Sequence, residues 1–85
     1  MLAKVVTIRN KTGLHARPAT LFAQEAKKSE SNVWMTKDDK KINPKSLVNI
    51  LTLGIKGGDQ VTIEVENEDQ ETLDHLAKFL ENLQD

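Results

Sequence analysis

Apolar and polar residues along this 85-residue chain repeat with two different periods, one typical of strands and one of helices. The segment Val6-Thr7-Ile8 predicts a first strand. Apolar residues then recur three and four positions apart, which places them on one face of a helix: Ala19, Phe22, Ala23 and Ala26. Pro18 falls in the first turn, where a missing N–H group is tolerated. We therefore expect this helix to begin near Ala16, with His15 at or beside its N-cap.

The next segment predicts two short strands joined by a polar turn. Val33 and Met35 alternate with Trp34 in a second strand, and a third strand follows around Ile42. The intervening turn is Lys37-Asp38-Asp39-Lys40. Asp-Asp suits a two-residue hairpin turn poorly, because both central residues of a type I′ turn need a positive φ. We expect a looser loop at this position.

A short helix, a strand and a final helix are predicted in the second half. Pro44 excludes a central strand, and Ser46 can cap a helix that ends at Gly54 and whose apolar residues are Leu47, Val48, Ile50 and Leu51. Alternation predicts a strand with one buried face at Val61, Ile63 and Val65. The inner stripe of the last helix is Leu73, Leu76, Ala77, Leu80 and Leu83.

The element order is therefore β-α-β-β-α-β-α. Strands with one polar face favour a sheet whose helices all lie on the other face. The prediction is an α+β fold in which three helices cover one face of a four-stranded antiparallel sheet, an open-faced β-sandwich.

Composition limits the class of protein. A chain of this length buries only about 60 to 65% of the surface that it exposes when unfolded, so we expect a single domain over residues 1–85 with shallow surface sites. The absence of cysteine excludes disulfides, thiolate zinc sites and cysteine nucleophiles. The N-terminal segment has neither the apolar run of a signal peptide nor the length of a membrane span, which favours a cytoplasmic protein without membrane insertion.

Charge is divided unevenly, although the net charge is −1. Residues 1–56 contain 11 Lys or Arg and 4 Asp or Glu, whereas residues 57–85 contain 1 and 9, so the two parts carry +7 and −8. This division indicates either a basic face for an acidic partner or a phosphate, or two charged surfaces that maintain solubility.

His15 is the strongest candidate for chemistry, in the segment Thr12-Gly13-Leu14-His15-Ala16-Arg17-Pro18-Ala19. Gly13 permits a sharp turn into the helix. Unpaired amides and the helix dipole would stabilise an anion on the ring by about 0.3–1 kcal/mol, and Arg17 adds permanently charged donors. A free imidazole, with a reference pKa of about 6.5, is a nucleophile at neutral pH. The alternative is a capping histidine without chemistry.

Two further residues have structural and functional interpretations. Ser46 is a good helix N-cap, and phosphorylation there would add about two negative charges that the helix end tolerates. His75 has the position of a surface histidine on an acidic helix. A metal site that joined His15 and His75 would need further converging ligands, and the sequence shows no such spacing, so we expect no metal and no cofactor.

The segment Gly13-Leu14-His15-Ala16-Arg17-Pro18-Ala19 resembles the HPr family, the histidine-containing phosphocarriers of the bacterial sugar phosphotransferase system. A second match runs from Lys45-Ser46-Leu47 through Leu53-Gly54-Ile55. The motif order and spacing extend the resemblance over essentially the whole chain.

The resemblance implies that His15 accepts a phosphoryl group on Nδ1 from phosphorylated enzyme I, that phosphoenolpyruvate is the original donor, and that IIA units of sugar transport complexes receive the group. Arg17 would steady the phosphoryl group. The implied docking surface consists of Ala16, Thr20, Leu47, Val48 and Leu51, with Gln24 and Lys27 at its edge. Such a protein is a substrate of partner enzymes rather than an enzyme, and we expect a monomer.

In many Firmicutes-type members the serine that matches Ser46 is phosphorylated by an HPr kinase and recruits a catabolite-control transcription factor. Such members commonly read Ile-Met-Gly where this chain has Leu47-Val48-Asn49. Asn67 replaces a glycine that is frequent in the family, and asparagine tolerates the left-handed conformation of a tight turn.

Two alternatives remain open from the sequence. One is a regulatory member of the same family that signals without feeding sugar transport, although His15 disfavours paralogues that have lost the histidine. The other is a nucleic-acid-binding module. Its aromatic residues are only Phe22, Trp34 and Phe79, and two of them lie in helical patterns, so no stacking platform is predicted. We expect no nucleic-acid partner.

Overall fold

The computed structural model describes residues 1–84, in which four antiparallel strands form one sheet accompanied by three helices. The strands are β1 (Leu2–Thr7), β2 (Val33–Lys37), β3 (Lys40–Ile42) and β4 (Gln60–Val65). The helices are α1 (Ala16–Lys27), α2 (Leu47–Thr52) and α3 (Gln70–Glu81). The predicted element order and the open-faced α+β architecture are confirmed.

The last strand in the sequence lies in the interior of the sheet, because the spatial order is β1-β4-β2-β3. Val61 lies opposite Val6 of β1, and Ile63 lies opposite Met35 of β2. Met35 in turn lies opposite Ile42 of β3. Residues directly opposite each other point to the same face of a sheet. The register therefore gathers the apolar side chains of all four strands on one face.

The helices cover that apolar face. α3 packs against β1 and β4, and α1 packs against α2 and α3. The fully buried large side chains include Phe22, Ile50, Leu73, Leu76 and Leu80 from the helices and Val33, Met35, Val61, Ile63 and Val65 from the sheet. The alternation predicted for β4 and the inner stripes predicted for α1 and α3 are confirmed, except that Leu83, although buried, lies beyond the end of α3. None of the helices in residues 1–84 has the length and apolar character that crossing a membrane requires.

The connection between β2 and β3 differs from the expected loose loop. Lys37 pairs directly with Lys40, so only two residues form the turn. Asp38 adopts a φ of +55°, whereas Asp39 does not have a positive φ. The expectation was wrong because it assumed a turn with two positive φ values; this turn needs one, and aspartate is among the residues that tolerate it.

The turn that leads from β4 into α3 contains two left-handed residues. Asn67 has a φ of +63°, as expected, and Glu68 follows with a φ of +54°. Asp69 then caps α3, because its carboxylate accepts the N–H of Thr72 at 3.2 Å. Hydrogen bonds from Thr72 and then Ser31 hold the pKa of the Asp69 carboxyl below its usual range. Asp69 therefore marks the start of α3.

Candidate phosphoryl-acceptor site

His15 is the N-cap of α1, and the two residues before it determine its position. Gly13 has a φ of +72°, and a Cβ atom at this residue would lie 2.2 Å from the carbonyl oxygen of Ile55. The N–H of Leu14 donates to the same carbonyl at 3.1 Å, and the Leu14 side chain is buried. Glycine is required where two backbones cross this closely. The chain is thus fixed against Ile55 immediately before His15.

The start of α1 presents three unpaired amides to an anion rather than the usual four. The carbonyl of His15 accepts the N–H of Ala19 at 3.0 Å, and Pro18 has no N–H group. The N–H groups of His15, Ala16 and Arg17 therefore lack acceptors within the helix. The imidazole makes no side-chain capping hydrogen bond. The structure thus contradicts a capping role for His15 and leaves its exposed ring at the helix end that carries these donors.

Arg17 supplies a cation at the same helix end. It is exposed, and within residues 1–84 its guanidinium forms no hydrogen bond or ion pair. A guanidinium stays charged at all relevant pH values and offers a planar set of donors that fits phosphate oxygens. The sequence placed His15 and Arg17 together at one helix start, and the structure brings them there.

Ser46 occupies the N-cap of α2, as predicted. Its hydroxyl oxygen accepts the N–H of Asn49 at 3.4 Å, and the residue is half-buried. The preceding Lys45 is anchored, because its Nζ donates to the carbonyls of Ser29 and Ser31 at 2.9 and 3.0 Å. The anchored Lys45 therefore holds its neighbour Ser46 at the N-terminal end of α2.

The residues expected to bind partners lie on two helices that pack against each other, α1 and α2. We call these residues, together with Leu21, the α1–α2 surface: Ala16, Thr20, Leu21, Gln24, Lys27, Leu47, Val48 and Leu51. Its apolar part is largely exposed, since Val48 is 69% and Leu51 42% accessible. Leu21, at 45% accessible, was missed by the sequence analysis. Leu21 lies outside the inner stripe of α1, and this position in the sequence could have predicted its exposure.

His75 lies apart from this site. It is exposed on α3, where its Nε2 pairs with the carboxylate of Glu25 on α1. Within residues 1–84, His, Asp and Glu side chains form no group of three or more arranged to hold a metal ion. His15 therefore belongs to no such group in this part of the chain.

The geometry suits reversible attachment of an anion at the surface. An accessible imidazole, three free amides and a guanidinium lie at one helix end, beside an exposed apolar surface where another protein can dock. Such an open site would leave most of the positioning to that other protein. The fold and site together define a small carrier protein.

Comparison with known proteins agrees with this class. The family model for the PTS HPr component phosphorylation site matches residues 2–82. The phosphocarrier protein HPr of Buchnera aphidicola is 38% identical over 85 residues, which cover 99% of this chain and 100% of that protein. The crystal structure of HPr from Bacillus anthracis is 40% identical with a TM-score of 0.86, and the match covers 93% of this chain and 95% of that one.

A regulatory relative has a comparable sequence identity to this chain. The crystal structure of Crh, a Bacillus subtilis protein named for catabolite repression, is 45% identical with a TM-score of 0.74. The match covers 99% of this chain and 100% of that one, and the structure is described as a domain-swapped dimer. The chain belongs to the HPr family, the phosphocarrier proteins of the phosphotransferase system.

Proposed function

We propose that His15 accepts a phosphoryl group from phosphorylated enzyme I and passes it to the IIA units of sugar transport complexes in the cytoplasm. The observation that carries this proposal is the exposed imidazole at the N-cap of α1, which makes no capping bond and lies at the helix end that carries the unpaired amides. In this reaction the chain is a substrate of its partners, not a catalyst.

The transfer conserves atoms and charge at a single ring nitrogen. The lone pair of Nδ1 attacks phosphorus while Nε2 keeps its proton, and the bond between phosphorus and the enzyme I residue that carries it breaks. Negative charge on the phosphoryl oxygens then meets the amides at the start of α1, and Arg17 adds a positive charge at the same helix end. The return step to an IIA acceptor reverses the same bond changes.

The α1–α2 surface has the character expected for the enzyme I and IIA partners. Its exposed apolar centre contains Leu21, Val48 and Leu51, and Lys27 adds positive charge at its edge. Apolar centres with charged rims suit transient complexes, in which complementary charge raises the association rate. This combination favours acidic protein partners.

The chain contains two histidines, which provide a matched control for the acceptor assignment. Incubation with phosphoenolpyruvate, magnesium and enzyme I should give one acid-labile phosphoryl group, detected by mass spectrometry. His15→Ala should abolish it and His75→Ala should retain it. Labelling that survives in His15→Ala would overturn the proposal.

Ser46 is proposed as a second, regulatory phosphorylation site for an HPr kinase/phosphorylase, with a catabolite-control transcription factor as the further partner. Its N-cap position supports this, since a helix start tolerates a phosphoserine. The added charge would lie next to Leu47 and Val48 and would repel acidic partners. Incubation with HPr kinase and ATP should give an acid-stable phosphoryl group that Ser46→Ala prevents. Unchanged labelling of Ser46→Ala would exclude this site.

A purely regulatory role is the second candidate, because Crh is as similar to this chain as the HPr proteins are. The two roles differ in one measurement. Transport requires that phospho-His15 donate to a IIA unit, whereas a regulatory member need not. The expected monomer also stays a prediction, since Crh is described as a dimer. Light scattering of the purified chain tests it.

A further inference from the structure

One half-buried lysine side chain joins the end of α2 to the turn before β4. The side chain of Lys37, only 19% exposed, lies with its Nζ 3.0 Å from the carbonyl oxygen of Gly54 and 3.0 Å from Oδ2 of Asp59. The Gly54 carbonyl follows the last turn of α2, where a cation is favoured by the helix dipole. Lys37 therefore connects the sheet, α2 and this turn at one point.

The turn itself is closed by Asp59 in two ways. Oδ2 of Asp59 accepts the N–H of Lys56 at 2.8 Å, and the N–H of Asp59 donates to the carbonyl of Lys56 at 3.0 Å. The hydrogen bond from Lys56, followed by the one from Lys37, keeps the pKa of the Asp59 carboxyl below its usual range. The carboxylate accepts from a backbone N–H and also pairs with an ammonium group. These two contacts make the turn more rigid than its glycines, residues 57 and 58, would otherwise allow.

Segment 55–59 is in turn the support of the loop that leads to His15. At one end of that loop, the N–H of Ile8 donates to Asp59 and the carbonyl of Ile8 accepts from Gly58, both at 2.8 Å. At the other end, the N–H of Leu14 donates to Ile55. Between these ends, a Cβ atom at residue 57 would lie 2.5 Å from the carbonyl oxygen of Asn10. Both ends and the middle of the loop thus rest on the same segment.

We propose that Lys37 and Asp59 are positioning residues for phosphoryl transfer: their pair holds segment 55–59, and through it the loop before His15, in a fixed place relative to α2. The inference rests on the proposed function, in which His15 is the acceptor and α2 belongs to the docking surface. Neither residue touches the phosphoryl group. Their effect is to present the ring to a partner that is already docked.

Lys40 provides a matched control from the same hairpin. Its Nζ donates to the carbonyl of Thr52 at 3.3 Å, so it also binds the end of α2, whereas Asp59 pairs with Lys37. Lys40→Met therefore removes a cation near the α2 terminus and leaves the Lys37–Asp59 pair in place. Lys37→Met keeps the aliphatic stem and removes the ammonium group. Asp59→Asn removes the charge and retains an oxygen that can accept from Lys56.

The experiment measures His15 phosphorylation by enzyme I with these three variants as substrates. A misplaced acceptor slows the chemical step more than it weakens docking, so Lys37→Met and Asp59→Asn should each lower kcat about tenfold and change the KM for the carrier less than twofold. The double variant should be no slower than either single variant, because both remove one interaction. Lys40→Met should keep the wild-type kcat.

Amide hydrogen exchange gives a readout that does not depend on phosphorylation. In Lys37→Met and Asp59→Asn the Leu14 N–H should exchange about tenfold faster, while β4 amides keep their protection. Failure of wild type to be phosphorylated on His15 would overturn the proposed function and leave exchange to decide this inference. A wild-type kcat in both variants, equal loss in Lys40→Met, or unchanged Leu14 exchange would overturn the inference itself.

Discussion

The imidazole of His75 on α3 hydrogen-bonds the carboxylate of Glu25 on α1, so the helix that begins at His15 is tied to the last helix. Lys28 also pairs with Glu25, at 3.0 Å. The hydrogen bond from His75, and then that from Lys28, lower the pKa of the Glu25 carboxyl. The three side chains line a cleft of about 360 Å³ that also includes Glu71. This contact is a surface link between α1 and α3, and it lies more than two helical turns along α1 from His15.

The contact should stabilise the fold only where Glu25 is ionised. A carboxyl whose pKa is lower in the folded than in the unfolded chain contributes fully above the unfolded value of about 4.3 and loses its contribution as pH falls through the folded value. His75→Ala should therefore cost ~0.5 kcal/mol more at pH 5.5 than at pH 2.5, the scale of an exposed ion pair.

Thermal unfolding of His75→Ala and wild type at both pH values tests this. The change in helix propensity is the same at each pH, so it cancels in the comparison. His15→Ala serves as the control, because the His15 side chain makes no capping bond in the structure. An equal loss of stability at the two pH values would contradict the assignment to Glu25.

Gly13→Ala should destabilise the protein by about 3 kcal/mol, because the new methyl group would meet the Ile55 carbonyl and the residue has a positive φ. Gly54→Ala is the matched control. Its φ is +60°, but no atom lies within 4 Å of its Cβ position, so only conformational strain of about 1 kcal/mol should result. Urea unfolding measures both. Equal losses would mean that the contact with Ile55 is not the reason for glycine at residue 13.

Val48→Glu should weaken binding to enzyme I about tenfold or more, because a negative charge would enter the apolar centre of the α1–α2 surface. Stability should change by less than ~0.5 kcal/mol, since the side chain is largely exposed. Val5→Glu is a control of similar exposure, 61% against 69%, on β1 away from α2. Titration calorimetry gives the affinities. A loss of the same size in Val5→Glu would indicate a general charge effect.

Ser46→Ala should cost about 1 kcal/mol of stability through loss of the N-cap, whereas Ser46→Asp should retain nearly all of it, because aspartate caps equally well. The two variants thereby separate capping from charge. Denaturant midpoints report the stability, and enzyme I kinetics report docking. Slower phosphorylation of Ser46→Asp than of Ser46→Ala, despite the higher stability, is the expected result; the reverse order would contradict a charge effect on docking.

Local rules were sufficient to predict the elements and the place of His15. Gly13 and Pro18 bracket the helix start, and both can be read as local signals, Gly13 for a sharp turn and Pro18 for the first turn of a helix. The inner stripes of α1 and α3 were equally clear because each period extends over three turns. The exposure of Leu21 could have been predicted from its position outside the stripe.

Long-range contacts could not be predicted in this way. The sequence shows a glycine at residue 13, but not that Ile55 lies against it. It also gives no sign that Asn10 is buried with both polar side-chain atoms unpaired within residues 1–84. The tight turn at Asp38 depends on the pairing of Lys37 with Lys40, which propensity alone did not indicate.

The interior position of β4 has a consequence for synthesis on the ribosome. Within the sheet, β1 and β2 are joined through β4, which lies between them, and the loop before His15 rests on residues that directly precede this strand. A nascent chain that has exposed α1 but not yet Gln60–Val65 therefore contains the histidine without its support. Competence to receive a phosphoryl group should therefore arise only after this strand has emerged.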